Sequence, residues 1–333
     1  MVKQSPKKSQ GEIYVTLSGK LFSFLSAVTL LAIVSGSSMA SEPIKIGIAG
    51  AQSGDRASYG LPTVKAVEMV VNQINEKGGI NGVPVGLMIE DDACKPEIAT
   101  NTATKLVSGG VNVVIGHTCS GATKAALPIY GEAGIIVMSP SATTPDLTQS
   151  GNYPNFYRTI SPDDAQARLE VDFAVNVLKV KKIAVIHDKS DYGKGLAEYA
   201  RDFIEFGARA EVVLYEGITP GAVDYSAVVQ KIKRTRADAV IFGGYHPEAS
   251  KIITQMRKKR MKTIFISDDG IKDDSFIKVA GKYAEGVYAS GPAEVSSNPI
   301  ARQYREEYKK MYGEDPGAFF DNAVTAAIAL TNA

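Results

Sequence analysis

The strongest constraint in this sequence is a regular alternation of short β-rich runs with amphipathic segments of helical period. IKIGIAG (44–50) leads into a segment with Val67, Val70, Val71 and Ile74 at helical spacing, closed by Gly78-Gly79. VGLMIEDD (85–92), a helix over 96–108, VNVVIGH (111–117), a helix over 121–133 and IIVMSP (135–140) follow. After 141–157, taken as loop, the rhythm resumes with KKIAVIHD (181–188), RAEVVLYEG (209–217), ADAVIFGGY (237–245) and KTIFISDD (262–269). Near-continuous apolar strands that alternate with helices predict parallel sheets with helices on both faces. So many βα units exceed one comfortable sheet, and 333 residues suffice for two medium cores, so two α/β lobes are expected. FYRTISP (156–162) and YASGP (288–292) are the expected crossings. Lobe 1 then spans 41–158 plus 289–333, and lobe 2 spans 159–288.

The first forty residues stand apart. Lys3, Lys7, Lys8 and Lys20 precede the apolar run LFSFLSAVTLLAIV, and Ser38-Met39-Ala40 supplies a small-x-small end. That order describes a secretory signal peptide over 1–40, cleaved after Ala40. An uncleaved anchor is the alternative, because 21–40 approaches the length of a membrane span. Export changes how Cys94 and Cys119, the two cysteines of the chain, are read. In an oxidising compartment an isolated pair is most simply one disulfide, with a free nucleophilic Cys119 as the sharper alternative.

Net charge is +1, which provides no broad basic field for nucleic acid. With three histidines and no tryptophan, a histidine-rich metal centre is not expected. Asp91-Asp92 and Asp268-Asp269 are adjacent pairs that alternating strand geometry sends to opposite faces. Each reads as a strand-end turn or cap, so no metal and no cofactor are expected. The stretch His117-Thr118-Cys119-Ser120 raises a hydrolase reading, but Gly116 to Gly121 misses the G-x-S-x-G spacing of a nucleophile elbow. His117, His187 and His246 are taken as surface or capping residues. Phosphate-binding glycine loops are also missing.

Ligands of open parallel sheets bind at the carboxyl ends of strands, beside helix N-termini. Those ends are rich here in Ser, Thr, Tyr and Asp. The Ser120 hydroxyl and the free amides of the following helix suit a carboxylate, and Thr143 offers a second hydroxyl. Asp269 suits an ammonium. Ordinary capping explains Ser120 and Thr143 equally well.

Taken together and in order, ASYG (57–60), NEKGGINGVPV (75–85), DDACKP (91–96), IGHTCSGAT (115–123), SPSATTPDLT (139–148), HDKSDYGKGLA (187–197), GGYHPEAS (243–250) and DPGAFF (315–320) resemble the periplasmic branched-chain amino-acid binding proteins, the type I solute-binding proteins of ABC importers. The resemblance runs from about Ile44 to the end. It implies two Rossmann-like lobes, hinged by crossovers, that close on one free amino acid of the Leu/Ile/Val class. It further implies a non-enzymatic, monomeric periplasmic protein that hands its ligand to a membrane permease. By the same resemblance Cys94 pairs with Cys119, and Ser120, Thr143 and Tyr192 contact the α-carboxylate. The Ser141 carbonyl, the Thr143 hydroxyl and Asp269 take the ammonium, while Tyr59, Thr118, Cys119, Tyr245 and Phe319 wall the side-chain pocket. Four positions depart from the family pattern. Thr118 replaces a larger apolar residue, Asp269 a glutamate, Ser141 an alanine and Gly121 a serine. A short amide, urea or a small polar amino acid is therefore the alternative ligand, a sensor subunit the alternative role, and a secreted serine hydrolase using Ser120 a distant third. The family also carries further strands and helices beyond ALTNA (329–333), so lobe 1 is expected to lack its C-terminal part.

Overall fold

A computed structural model describes residues 42–207 and 209–333. The signal peptide expected over 1–40 lies outside the described residues. Two parallel five-stranded sheets organise the chain. The first contains β1 (Ile44–Gly50), β2 (Val85–Asp91), β3 (Val113–Ile115), β4 (Ile136–Ser139) and β5 (Phe156–Arg158), in the order β2-β1-β3-β4-β5. The second contains β6 (Lys182–His187), β7 (Glu211–Gly217), β8 (Ala239–Gly243), β9 (Ile264–Ser267) and β10 (Val287–Ala289), in the order β10-β9-β8-β6-β7. Each sheet switches direction of winding beside its first strand, which opens a crevice at the strand ends.

Helices follow the strands as the periodicity predicts. In the first half these are α1 (Ala57–Glu76), α2 (Pro96–Ser108), α3 (Ser120–Glu132) and the single turn α4 (Asp146–Gln149). In the second they are α5 (Asp163–Asp172), α6 (Asp191–Gly207), α7 (Ser226–Thr235), α8 (His246–Lys258) and α9 (Asp274–Ala280). After β10 the chain returns to the first sheet through α10 (Pro299–Tyr312) and α11 (Phe320–Thr331). Val67, Val70 and Val71 on one stripe of α1 meet Tyr304 and Tyr308 of α10, Phe320 and Ala323 of α11, and Ile46 and Ile48 of β1. The other face of that sheet packs Leu106, Ala122, Ala126 and Tyr130 from α2 and α3. Burying each such aliphatic side chain contributes roughly 1.5–3 kcal/mol, which is why both faces are covered.

Local signals set the ends. Pro96 and Pro299 begin their helices at the position where no amide partner is needed. Asn298 caps α10 by accepting from the Ile300 amide at 2.9 Å. Gly313, at φ 73°, ends it in the left-handed region. Two strands escaped the sequence reading. β5 lies within FYRTISP and β10 begins just ahead of and overlaps YASGP, so both crossings start from three-residue edge strands rather than from loops. Three residues are too few to show a period. Among the described residues no helix is long and apolar enough to cross a membrane.

Candidate functional site

The carboxyl ends of the two sheets face each other, and Tyr59 joins them. It sits in the first turn of α1, is fully buried, and its hydroxyl donates to the Gly270 carbonyl at 2.5 Å while accepting from the His246 amide at 3.3 Å. Around this contact Tyr59, Thr118, Ser141, Tyr192, Tyr245, Asp269, Gly270 and Phe319 enclose one small cavity between the sheets. About 10 Å3 of it lies within reach of a water molecule's centre, room for about one water. An aliphatic amino acid is many times larger, so admitting one requires the sheets to part and the tyrosines to exchange contacts.

Seven of the ten residues singled out from the sequence line this cavity. The other three stand one layer behind it. Cys119 is buried and joined to Cys94 with Cα atoms 5.4 Å apart, which makes the disulfide alternative the correct one and removes the free thiol. Ser120 opens α3, and its hydroxyl accepts from the amides of Thr143 and Thr144, both at 3.2 Å. That contact ties the α3 N-terminus to the turn after β4. Thr143 is fully buried, and its hydroxyl has no hydrogen-bond partner. A buried hydroxyl without a partner costs roughly 1–3 kcal/mol, so it is a group suited to receiving one.

Aromatic rings form the far wall. Tyr245 lies 5.8 Å from Tyr59 and 5.1 Å from Tyr192 between ring centroids, and Phe319 lies 6.1 Å from Tyr59. The Arg56 guanidinium stacks 4.0 Å from the Tyr245 centroid and reaches Asp188 at 3.9 Å, adding a cation–π contact across the cleft. Ser141 donates to the Thr118 carbonyl at 2.8 Å, so its own carbonyl stays free of that contact. Opposite, Tyr192 donates to Asp269 Oδ1 at 2.6 Å and accepts from the Gly270 amide at 3.0 Å. Burial raises the Asp269 carboxyl to about 6, against the lowering effects of Tyr192, Lys272 and Gln166. Asp269 and Phe319 also border an adjoining, more open crevice of about 230 Å3 with Lys272, Glu294 and Arg305.

The histidines correct the expectation of surface or capping roles. His117 is fully buried, its Nδ1 2.5 Å from Asp92 Oδ2 and its Nε2 3.1 Å from the Tyr130 hydroxyl. Asp92 also accepts from the Cys94 amide at 2.7 Å, so His117 braces the disulfide loop. His187 accepts from the Lys189 amide at 3.1 Å, and His246 lies 3.4 Å from the Ser58 hydroxyl. No histidine is a partner of Ser120, and a nucleophile–base pair of that kind is not assembled among the described residues.

The description "Periplasmic binding protein" matches residues 43–333. The chain belongs to that family. Members of this periplasmic binding protein family that it resembles include the Leu/Ile/Val-binding protein of Escherichia coli, 37% identical over 278 residues, covering 84% of this chain and 75% of the relative. The Leu/Ile/Val/Thr-binding protein of Salmonella typhimurium is likewise 37% identical, covering 84% and 76%. Among solved structures, the branched-chain amino acid transporter substrate binding protein LivJ of Streptococcus pneumoniae, in complex with isoleucine, is 30% identical with a TM-score of 0.80, covering 88% of this chain and 84% of that one. Parallel sheets flanking a cleft are thus the family's fold.

Within this binding-protein frame the structure brings in residues the sequence reading passed over. Gly270 is one, and the motif SDDG carried its signal: a Cβ there would lie 2.3 Å from the Gly244 carbonyl oxygen. Asp163, Gln166 and Glu170, one face of α5, are buried beside Asp269. Their sequence signal is the strongly polar run DDAQARLEVD of α5.

Proposed function

We propose that this protein is a periplasmic receptor of an ABC importer, captures a free branched-chain amino acid in the cleft and presents it to a membrane permease. The observation that carries the reading is the convergence of Tyr59, Thr118, Ser141, Tyr192, Tyr245, Asp269 and Phe319 on one cavity between two lobes. Its chemistry is bipolar. Ser120, Thr143 and the α3 N-terminus offer hydroxyls and amides to a carboxylate, with Tyr192 reaching from the second lobe. Asp269, the Thr143 hydroxyl and the Ser141 carbonyl take the ammonium. Tyr59, Tyr245, Phe319, Thr118 and the Cys119 disulfide form an apolar wall for an aliphatic side chain, worth roughly 1.5–3 kcal/mol when buried.

Lobe 1 (41–158 plus 289–333) and lobe 2 (159–288) move about the crossings next to β5 and β10, and the ligand favours the closed form by touching both. The role is binding rather than catalysis, in a monomer. A signal peptide over 1–40 delivers the chain to the periplasm.

Threonine is the second ligand we propose. Thr118 and Ser141 place hydroxyl-bearing side chains on the pocket wall, and the Salmonella relative's name includes Thr. The test is calorimetry on protein unfolded and refolded to strip any co-purified ligand, with leucine, isoleucine, valine, threonine, urea and acetamide. Micromolar or tighter binding of one aliphatic amino acid is expected. If only threonine binds, the second reading replaces the first; if only urea or the amide binds, both fail.

A further inference from the structure

The ammonium end of the cleft holds more acid than one zwitterion needs. Asp163 opens α5, and Glu170 lies two turns later on the same face. Asp268 and Asp269 directly follow β9, beside them. All four are buried, Asp163 and Asp268 completely, Glu170 to 2% exposure and Asp269 to 4%. Asp269 accepts from Tyr192, and Asp268 Oδ2 accepts from the Gly244 amide at 3.1 Å. Glu170 Oε1 accepts from Ser290 at 2.6 Å, which in turn accepts from Gln166 at 2.8 Å. The Thr143 hydroxyl is the near neighbour of the Asp163 carboxyl, and Oε2 of Glu170 has no hydrogen-bond partner. Of the four carboxyls Asp269 lines the cavity, and the other three are buried beside it.

Positive charge nearby is scarce. Arg158 of β5 directs one guanidinium nitrogen to the carbonyls of Thr143 and Thr144, at 2.8 and 3.0 Å, and the other to Thr148. Lys272 is half exposed and lies 3.8 Å from Glu294. None of the four carboxyls is ion-paired among the described residues. Tyr192 of α6 and Tyr245, which precedes α8, face the cluster as neutral phenols, and Asp164 adds a further acid at the start of α5. The group is not a metal site: no set of three or more ligating side chains suited to an ion occurs among the described residues. Four buried carboxylates cannot all be ionised without cations, so some hold protons. Burial raises Glu170 to about 8 and holds Asp163 and Asp268 well above the ordinary carboxyl range.

We infer that this cluster couples ligand capture to proton release: an ammonium seated on Asp269, with Asp163, Asp268 and Glu170 behind it, supplies the missing cation, and a carboxyl proton departs to solvent. The O–H bond of a neutral carboxyl breaks, the carboxylate stays with the bound ammonium, and no other group changes oxidation or bonding. Glu170 touches no ligand; it is a positioning residue acting through Ser290 and its charge on Asp269. The inference rests on the amino-acid reading proposed above.

The experiment is calorimetry of the stripped protein with leucine, in two buffers of different ionisation heat, between about pH 5.5 and 7.5. Roughly half to one proton released per leucine is expected, with affinity rising about three- to tenfold per pH unit. Buffer-independent heats and a flat affinity, with leucine still bound, would overturn the coupling alone. No binding of any amino acid would overturn the functional reading and this inference together. Glu170→Gln keeps the hydrogen bond to Ser290 but carries no titrating proton, so it should bind leucine with less proton release and a flatter pH profile. An unchanged profile would overturn the part given to Glu170. Asp163→Asn supplies the same readout should the first variant fail to fold.

Discussion

Asp269 is the residue on which the site turns. It is buried, it meets Tyr192 across the second lobe, and it is the acid of the cluster that lines the cavity. Removing it would leave a buried ammonium short of its counter-charge, a loss of several kcal/mol. Asp269→Ala is therefore expected to weaken leucine at least about a hundredfold by calorimetry, with the melting temperature little lowered or raised. Unchanged affinity would mean the ammonium is held elsewhere. Polar runs such as SDDG and SPSATT marked the strand ends, while ordinary capping explained them equally well and the resemblance supplied the individual roles. The histidines were not. His117 reads as an exposed strand-end residue, and only the packing of β3 against the disulfide loop puts its ring on Asp92 and Tyr130.

Elements give the site its rigidity. The Cys94–Cys119 bridge closes a loop of 25 residues between the end of β2 and the start of α3. Chain-entropy reasoning assigns such a closure about 3 kcal/mol. Cys94→Ser with Cys119→Ser should lower urea-unfolding stability by about that much, and ligand affinity should fall less. Helix α5 makes the opposite kind of contribution. Glu170 titrates near 4.5 when exposed and near 8 in the folded chain, so the folded state binds more protons across that window. The contribution of Glu170 to the stability of the ligand-free protein then falls as pH rises from about 4.5 to 8. Glu170→Gln removes that penalty, and its melting temperature at pH 8 should exceed wild type by several degrees, with little difference at pH 4.5. An equal gain at both would exclude the ionisation as its cause. The long helices and central strands were readable from period alone. The edge strands β5 and β10 were not, since pairing with a neighbour rather than hydrophobic pattern makes them strands.

At the scale of the molecule the Tyr59 hydroxyl joins the two lobes through two hydrogen bonds, donating to the Gly270 carbonyl and accepting from the His246 amide. Tyr59→Phe leaves the Gly270 carbonyl and the His246 amide without their partner, costing the closed form about 1–3 kcal/mol. The ligand-free protein should then show a larger radius of gyration in X-ray scattering and, because leucine enters only where these contacts part, bind leucine no more weakly than wild type. Compact wild-type dimensions in the variant would place the closing energy elsewhere. Near-continuous apolar runs alternating with segments of period 3.6 determined, by themselves, two parallel sheets sheathed in helices, because each apolar face admits few ways to be covered. The strand-end polar runs marked where a ligand would be sought, and the resemblance named the residues expected to hold a zwitterion. Tertiary structure alone decided that seven of the singled-out residues share one cavity, that Ser120 and Thr143 are not among its lining, and that α5 places buried acids beside Asp269. Those outcomes depend on how two lobes meet, and residues more than a hundred positions apart leave no periodic trace of their meeting in the chain.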